Sequence, residues 1–409
     1  MKNRIGIIAD DFTGAGDAAS FIRLQYSNVF ISSGLTASIP EDIDVVIVAL
    51  KIRSINADEA VQLVKEAIIF LKENNCNKFY FKFCSTFDST PKGNIGPIMD
   101  SLIDCFNLPY SVLCPSLPLN GRTVKDGILY VNGVELEKSP LKNHPLNPMW
   151  NSYIPNLMKP QSQYPCYVLS RDNFQFLDQV VQKLRKKGKP FYLVPDYEND
   201  MDGKLLASLL SDHEVIGGGS GLLEYLWSPT EKDAKICCKI HSSYKKSLIL
   251  CGSCSLQTRK QVNYFKENNG ITREINVESI VDLDCFSDDI FHWIQEQTTT
   301  VLLYSSALYK NMGQLKKRSN FLDNAKRTEM IMQKLSRLAL NSGFDRIIVG
   351  GGETSGAVLQ HLKYKSFYVG ETISPGVPVL IPTLNRQISF ILKSGNFGEE
   401  DFFIKCLKK

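Results

Sequence analysis

The residues best suited to chemistry lie where apolar, strand-like runs end. Ala9-Asp10-Asp11-Phe12-Thr13-Gly14-Ala15-Gly16-Asp17 leaves the first such run with two adjacent carboxylates, followed by glycines that open a helix. Neighbouring side chains on an extended segment point opposite ways, so one aspartate can face a ligand while the other caps the helix. Lys51-Ile52-Arg53-Ser54, Lys82 through Asn94 (KFCSTFDSTPKGN) and Cys114 through Thr123 (CPSLPLNGRT) each follow another run, with more polar, glycine and proline residues than a sheet connection needs. In an open parallel sheet, ligands bind beyond the carboxyl ends of the strands, so all four segments should meet along one rim. Arg53, Lys82 and Arg122 bring positive charge to that rim, and its serine, threonine and asparagine residues bring hydrogen-bonding groups. Such a rim suits a small, hydroxyl-rich anion, because arginine can grip a carboxylate through two parallel bonds.

The second half carries a different set. Gly252-Ser253-Cys254-Ser255 and Gly350-Gly351-Gly352-Glu353-Thr354-Ser355-Gly356 each follow a strand-like run and open a helix, and Lys393-Ser394-Gly395-Asn396-Phe397-Gly398 follows the last run. Side-chain-free backbone at a helix start makes a cradle for phosphate oxygens, so nucleotide binding is the leading reading of this half. Neither GxGxxG nor GxxxxGK[ST] occurs, so a dinucleotide fingerprint and a P-loop are both excluded.

The elements that must position these segments alternate. Strands are expected at Ile5–Ala9, Val29–Ser32, Val45–Leu50, Phe79–Phe83 and Val112–Cys114, with a helix over Ala57–Lys72 whose apolar residues recur at helical spacing. From Pro115 to Pro160 the rhythm breaks, with a β-hairpin expected at Asn132-Gly133. Alternation resumes with helices near Asn173–Lys186 and Gly203–Leu210, a strand at Phe191–Val194, and a helix after Gly217-Gly218-Gly219-Ser220-Gly221. Ser220 there would line the cleft or cap that helix. Ser228 to Lys246 is polar and without periodicity. Beyond it strands at Ser247–Cys251, Val301–Ser305 and Arg346–Val349, a helix at Gln257–Glu267 and a long helix from Phe321 are expected, and the tail reads as short strands at Val379–Ile381 and Ser389–Leu392. Continuous apolar strands separated by helices imply parallel sheets covered on both faces. The fold class is therefore α/β: two domains, each a mainly parallel sheet flanked by helices, with an active site in the interdomain cleft. The domains are 1–230 and 247–409, joined by a linker over 231–246.

Composition narrows the function classes. The chain has 409 residues, 43% hydrophobic and 22% charged, a globular composition. Lys plus Arg is 47 against 43 Asp plus Glu, a formal charge of +4, which is too small an excess for a nucleic-acid footprint. No apolar run reaches the roughly 18 residues of a membrane span. Eleven cysteines, odd in number and irregular in spacing, point to reduced thiols in the cytoplasm. Cys251-x-x-Cys254 lacks the second pair that a metal site needs, and His213, His241, His292 and His361 have no ligand spacing, so no metal site is expected. His144, in the proline-rich HPLNPM stretch, can order backbone or touch substrate.

The segments IADDFTGAGDAASF, FKFCSTFDSTPKGNIGPIMD, NGRTVKDGILYV, HPLNPM, GGGSGL, GSCSLQT, GGETSGAV, ISPGVP and LKSGNFGEEDFF together resemble the four-carbon acid sugar kinase family, and within it the branch that acts on 3-oxo-tetronates. The resemblance spans nearly the whole chain in order. It implies an N-terminal acid-sugar-binding domain and a C-terminal nucleotide-binding domain, and ATP-dependent phosphorylation of the 4-hydroxyl of a 3-oxo-tetronate, with Mg²⁺ accompanying the ATP. It also implies that Asp10, Asp11, Arg53, Lys82, Ser85, Asp88, Asn120, Gly121, Arg122 and Thr123 face the sugar acid. Ser255, Gly351, Gly352, Glu353, Thr354 and Gly395 would hold ATP, and Asp11, with Asp10 beside it, would be the catalytic base. Relatives often carry TGATD or TGAAD where this chain has Gly14-Ala15-Gly16-Asp17, two histidines in place of Asn143-His144, and Asp-Ser in place of Asn151-Ser152. These departures bear on substrate choice: D-threonate, D-erythronate, or a non-catalytic sensor role are the alternatives. The expected partners are a sugar acid and ATP, with no nucleic acid or membrane, and a homodimer is left open.

Overall fold

The computed structural model describes residues 3–35, 38–143, 148–228, 244–309 and 321–408. His144 and most of the expected linker, 231–243, lie outside them. The chain divides into two units, Met1–Cys238 and Lys239–Lys409, and no described helix is long and apolar enough to cross a membrane.

The N-terminal unit is built on strands β1 (Arg4–Ala9), β2 (Val29–Ser33), β3 (Val45–Ala49), β4 (Cys76–Lys82), β5 (Tyr110–Cys114), β6 (Arg122–Lys125), β7 (Ile128–Val131), β8 (Val134–Glu135), β9 (Cys166–Leu169), β10 (Phe191–Pro195) and β11 (Val215–Gly218). Its main sheet runs in the order β2-β3-β1-β4-β11-β5-β10-β9, with every neighbouring pair parallel. The central strands are apolar and buried throughout, as VVIVA of β3 illustrates, which is what coverage on both faces requires. Successive strands are laid first to one side of β1 and then to the other. The loops leaving β1 and its neighbours therefore diverge at the carboxyl edge, where such sheets hold ligands.

Helix α1 (Phe12–Ile22) starts at Asp11, whose side chain accepts from the Gly14 amide. Helix α2 (Ala57–Glu73) starts at Asn56, which accepts from Asp58 and Glu59, and those two acids sit in its first turn. Both starts follow capping chemistry readable in the sequence. Helix α3 (Ile95–Cys105) follows Asn94.

The hairpin expected at Asn132-Gly133 is part of a three-stranded antiparallel sheet, β6-β7-β8. Its two turns, Asp126-Gly127 and Asn132-Gly133, place all four residues at positive φ, 49°, 74°, 51° and 77°, the geometry that two-residue hairpin turns require. The helix expected after Gly221 does not form. After GGGSG the chain forms only the short 3₁₀ turn Gly221–Glu224, and the Ser220 hydroxyl does not cap it. The Gly221 Cα lies against the Ser116 carbonyl, and Trp227, at φ 57°, turns the chain before a longer helix can grow.

The C-terminal unit has strands β12 (Ser247–Cys251), β13 (Ile271–Ile275), β14 (Val301–Ser305), β15 (Arg346–Gly350), β16 (Ser366–Ser374), β17 (Val377–Pro382) and β18 (Ser389–Lys393). Their order is β13-β14-β12-β15-β18-β17-β16. The first five are mutually parallel, and β17 and β16 add antiparallel. Ile249, Val262, Phe265, Ile348, Ile391 and Phe402 belong to one buried cluster. The tail, expected to hold strands only, ends in the helix Phe402–Lys408.

His213 precedes β11 with its ring 4.6 Å from that of Tyr110. Burial, reinforced by the charge of Lys78, pulls its pKa from 6.5 down to about 4. The unfolded chain therefore takes up this proton first, so the contribution to stability is complete above 6.5 and is lost as pH falls toward 4. The denaturation midpoint of His213→Phe should decline less steeply than that of the wild type across this window. Parallel curves would show that the imidazole does not titrate there.

Candidate active site

At the carboxyl edge of the N-terminal unit, register aligns Ala49, Ala9, Lys82, Gly218 and Cys114 in one row across five adjacent strands. The segments singled out by residue type all leave from this row. Asp10 is 4% exposed, and Arg53 grips both of its oxygens, from Nε and Nη2, each at 2.8 Å. Burial pushes the Asp10 carboxyl above its ordinary range, against the pull of Arg53. Asp11 divides its work: one oxygen accepts from the Gly14 amide and the Thr13 hydroxyl, and the other lies 2.8 Å from Arg53 Nη2. Asp88 is 3.9 Å from Arg53 Nη1. Burial works against the Arg53 charge, but Asp10 and Asp11 outweigh it and raise its pKa further.

The loop carrying Arg53 is fixed by Asn94, whose buried amide donates to the carbonyls of Ile52, at 2.6 Å, and Ile55, at 3.0 Å. On the other side of the same row, Lys82 lies with its side chain 3% exposed, 3.2 Å from Asp17, and donates to the Phe83 carbonyl. Ser220 donates to the same Asp17 oxygen. Burial opposes the Lys82 charge, and Asp17 followed by Asp10 more than offsets it. Arg53 and Lys82, read from the sequence as positive charge offered to an anion, are in this structure bound to the chain's own aspartates.

Arg122 is different. Its Nη1 donates to the Asn120 carbonyl, and its Nε is buried without a hydrogen-bond partner. Among the described residues no carboxylate lies within ion-pair distance of it, and burial pulls its pKa down while Cys84 and Asp17 pull it up. Gly121, at φ 70°, makes the turn that presents Arg122; a Cβ there would collide with Asn132. Asn120 and Thr123 flank it half-buried, and Ser85 sits against Gly219. Phe87, fully buried, holds φ 50° just before Asp88. That is an unfavourable conformation for an aromatic residue, of a kind that clusters at functional sites.

In the C-terminal unit three glycine segments converge. Ser255 caps the helix Leu256–Glu267 by accepting from Thr258 N and donates to the Gly395 carbonyl at 2.6 Å. The Gly351 amide donates to the Lys393 carbonyl, and the amides of Gly252 and Ser253 both donate to Gly350. Gly351 has φ 130° and gives the helix Gly352–Leu362 no side-chain cap, so the first-turn amides suit an anion. Glycine is needed on steric grounds too: a Cβ on Gly252 would strike Thr354, and one on Gly395 would strike Ser253. Thr354 is buried and Glu353 exposed.

Three residues with structural work at these sites were not singled out from the sequence. Asp17 could have been, as the one carboxylate inside a helix of otherwise small, apolar or hydroxyl-bearing residues. Asn94 and Lys393 gave no individual signal.

Residues 5–226 match the family described as sugar-binding N-terminal domain, and residues 248–403 the one described as nucleotide-binding C-terminal domain. The chain belongs to the four-carbon acid sugar kinase family. It is 35% identical to a 3-oxo-tetronate kinase of Salmonella typhimurium over 422 aligned positions, covering 99% of both chains. It is 36% identical to the Escherichia coli 3-oxo-tetronate kinase, covering 91% of this chain and 98% of the relative. Among solved structures, a Salmonella typhimurium LT2 protein superposes with TM-score 0.88 at 33% identity, covering 98% of each chain. A Haemophilus influenzae protein superposes with TM-score 0.79 at 34% identity, covering 98% of this chain and 99% of that one.

Asp17→Asn leaves the buried Lys82 ammonium without its nearest counter-charge, and should destabilise the protein by about 3 kcal/mol. Adding Lys82→Met should recover part of that loss in chemical denaturation. A double variant no more stable than Asp17→Asn alone would argue against the pairing.

Proposed function

We propose that the protein is an ATP-dependent kinase that phosphorylates the 4-hydroxyl of a 3-oxo-tetronate in the cytoplasm. The observation that carries the reading is the row of strand ends in the N-terminal unit. It brings a buried, arginine-clamped carboxylate and a more accessible one to the end of β1, and the segment leaving β5 at the same edge carries an arginine without a carboxylate partner. The full-length likeness to 3-oxo-tetronate kinases supports it.

Asp11 is the general base. Its side chain is 28% exposed against 6% for Asp10, and Asp10 has both oxygens occupied by Arg53. Arg53 aims one Asp11 oxygen, while the helix cap fixes its rotamer. The C4 hydroxyl gives its proton to Asp11 as its oxygen forms the new bond to the γ-phosphorus. The bond from that phosphorus to the bridging oxygen breaks, and ADP leaves. Arg122 takes the C1 carboxylate, which supplies the partner its Nε lacks. Ser85, Asp88, Asn120 and Thr123 supply hydrogen bonds to the hydroxyl and keto groups.

The nucleotide phosphates rest on the glycine segments around Ser255, Gly351 to Thr354 and Gly395. Among the described residues no three His, Cys, Asp or Glu side chains cluster to hold a metal ion. Mg²⁺ would be carried largely by phosphate oxygens and water, as is usual for this ion, and would neutralise charge developing on the transferring group. Most of the rate enhancement then comes from positioning and from fixed charge.

A coupled ADP-release assay with 3-oxo-tetronates, D-threonate and D-erythronate tests this directly. Turnover should be highest with the oxidised acids. Preference for an unoxidised acid would shift the substrate, and no ADP release with any of them would overturn the kinase reading. Asp11→Asn should lower kcat by about 10³-fold with ATP binding retained; a near-wild-type rate would remove Asp11 from the base role. Arg122→Met should raise the KM for the sugar acid about 10- to 100-fold and leave that for ATP nearly unchanged.

A further inference from the structure

Lys393 ends β18 fully buried, at 0% exposure. Its ammonium donates to the Thr258 hydroxyl at 3.1 Å, the Ser394 carbonyl at 3.0 Å and the Gly395 carbonyl at 2.9 Å. Its own carbonyl accepts from the Gly351 amide at 2.9 Å. One residue thus touches all three parts of the glycine-rich edge: the start of the helix Leu256–Glu267, the turn at Gly351, and the Ser394-Gly395 loop. Among the described residues no carboxylate lies within ion-pair distance of it. The titratable groups facing it are the thiols of Cys251 on β12 and Cys406 on the helix Phe402–Lys408, with Arg346 beyond Cys406. Burial pushes the Cys251 thiol up to about 12 and raises that of Cys406, so neither supplies negative charge near neutral pH. The Phe402 ring, 5.9 Å away, is the remaining neighbour of note.

A buried ammonium with hydrogen bonds but no counter-ion is an unusual expense for a fold. Lys82 in the N-terminal unit, equally buried, has Asp17. We propose that Lys393 is the positioning residue of the nucleotide cradle, its bonds setting the three glycine segments and its missing counter-charge being the phosphate chain of the bound nucleotide. The inference rests on the kinase reading above and adds to it a residue and a proton.

Burial lowers the Lys393 pKa from 10.5 to about 8 in the unliganded chain. A polyanion bound nearby favours the charged ammonium and raises that pKa again. Nucleotide binding is therefore accompanied by proton uptake above about pH 8, and affinity falls as pH rises through this value.

The test is isothermal titration of the full-length protein with MgATP at about pH 8.5, above the lowered Lys393 pKa of the unliganded chain, in two buffers of different ionisation enthalpy. The wild type should take up a fraction of a proton on binding. Lys393→Met, which keeps the apolar stem, should take up none and bind about tenfold or more weakly, with the KM for the sugar acid unchanged. A purely structural lysine would not move the proton count. Wild-type ATP binding matched by Lys393→Met in both affinity and proton uptake overturns the role of Lys393 and leaves the kinase reading standing. Absence of ATP binding by the wild type overturns the kinase reading, and this inference with it. Should Lys393→Met lose its cooperative melting transition, Thr258→Val removes one partner of the ammonium without touching the charge. It should weaken ATP binding several-fold with proton uptake retained, and unchanged affinity counts against the proposal.

Discussion

Most of the charge buried at the strand ends of the N-terminal unit is neutralised within the chain. In the N-terminal unit the row Ala49-Ala9-Lys82-Gly218-Cys114 brings aspartates and cations within a few ångströms of each other at a place where water is largely excluded. An isolated charge there would cost several kcal/mol, so the ion pairs Arg53–Asp10 and Lys82–Asp17 are conditions for the edge to exist at all. The other local features follow from them. Asn94 fixes the loop that delivers Arg53, Ser220 shares Asp17 with Lys82, and Arg53 reaches Asp11 as well as Asp10.

The same constraint explains why each aspartate of the pair has its own task. Adjacent residues on an extended segment diverge, so the two carboxylates enter different environments. Asp10 turns into the protein and is held on both oxygens. Asp11 turns to the helix start, where one oxygen serves the cap and the other, more exposed than those of Asp10, meets Arg53. Reading one of them as a cap was right in kind, and the capping residue is the more accessible of the two. A cap and a base are compatible roles, because the cap occupies one oxygen and fixes the rotamer of the carboxylate.

Much of this was legible in the sequence, and the exceptions have physical causes. The buried strands announce themselves as apolar runs, and Asp11, Asn56, Asp126-Gly127 and Asn132-Gly133 carry cap or turn chemistry that works locally. The strand Ser366–Ser374 was passed over because Gly370 interrupts its alternation, and the terminal helix because it is only seven residues long. The pairing of Lys82 with Asp17 was hidden for a different reason. It joins residues 65 positions apart and depends on β4 lying beside β1, which no local pattern encodes. Lys393 was hidden by base expectation, because a lysine next to a glycine loop is normally solvated.

Lys82 and Lys393 occupy the same place in their respective units: each is the last residue of a parallel strand at the ligand-binding edge, and each is fully enclosed. They differ in compensation. A sugar acid brings a single negative charge, so an edge that left several cations unpaired would stay over-charged after binding; Arg53 and Lys82 are paired internally and Arg122, the residue proposed for the carboxylate, is not. A nucleotide triphosphate brings several negative charges, and a permanently paired lysine beneath it would offer little net attraction. The unpaired Lys393 instead costs the empty unit some stability and returns it on binding, a difference between free and bound states that a paired lysine could not supply.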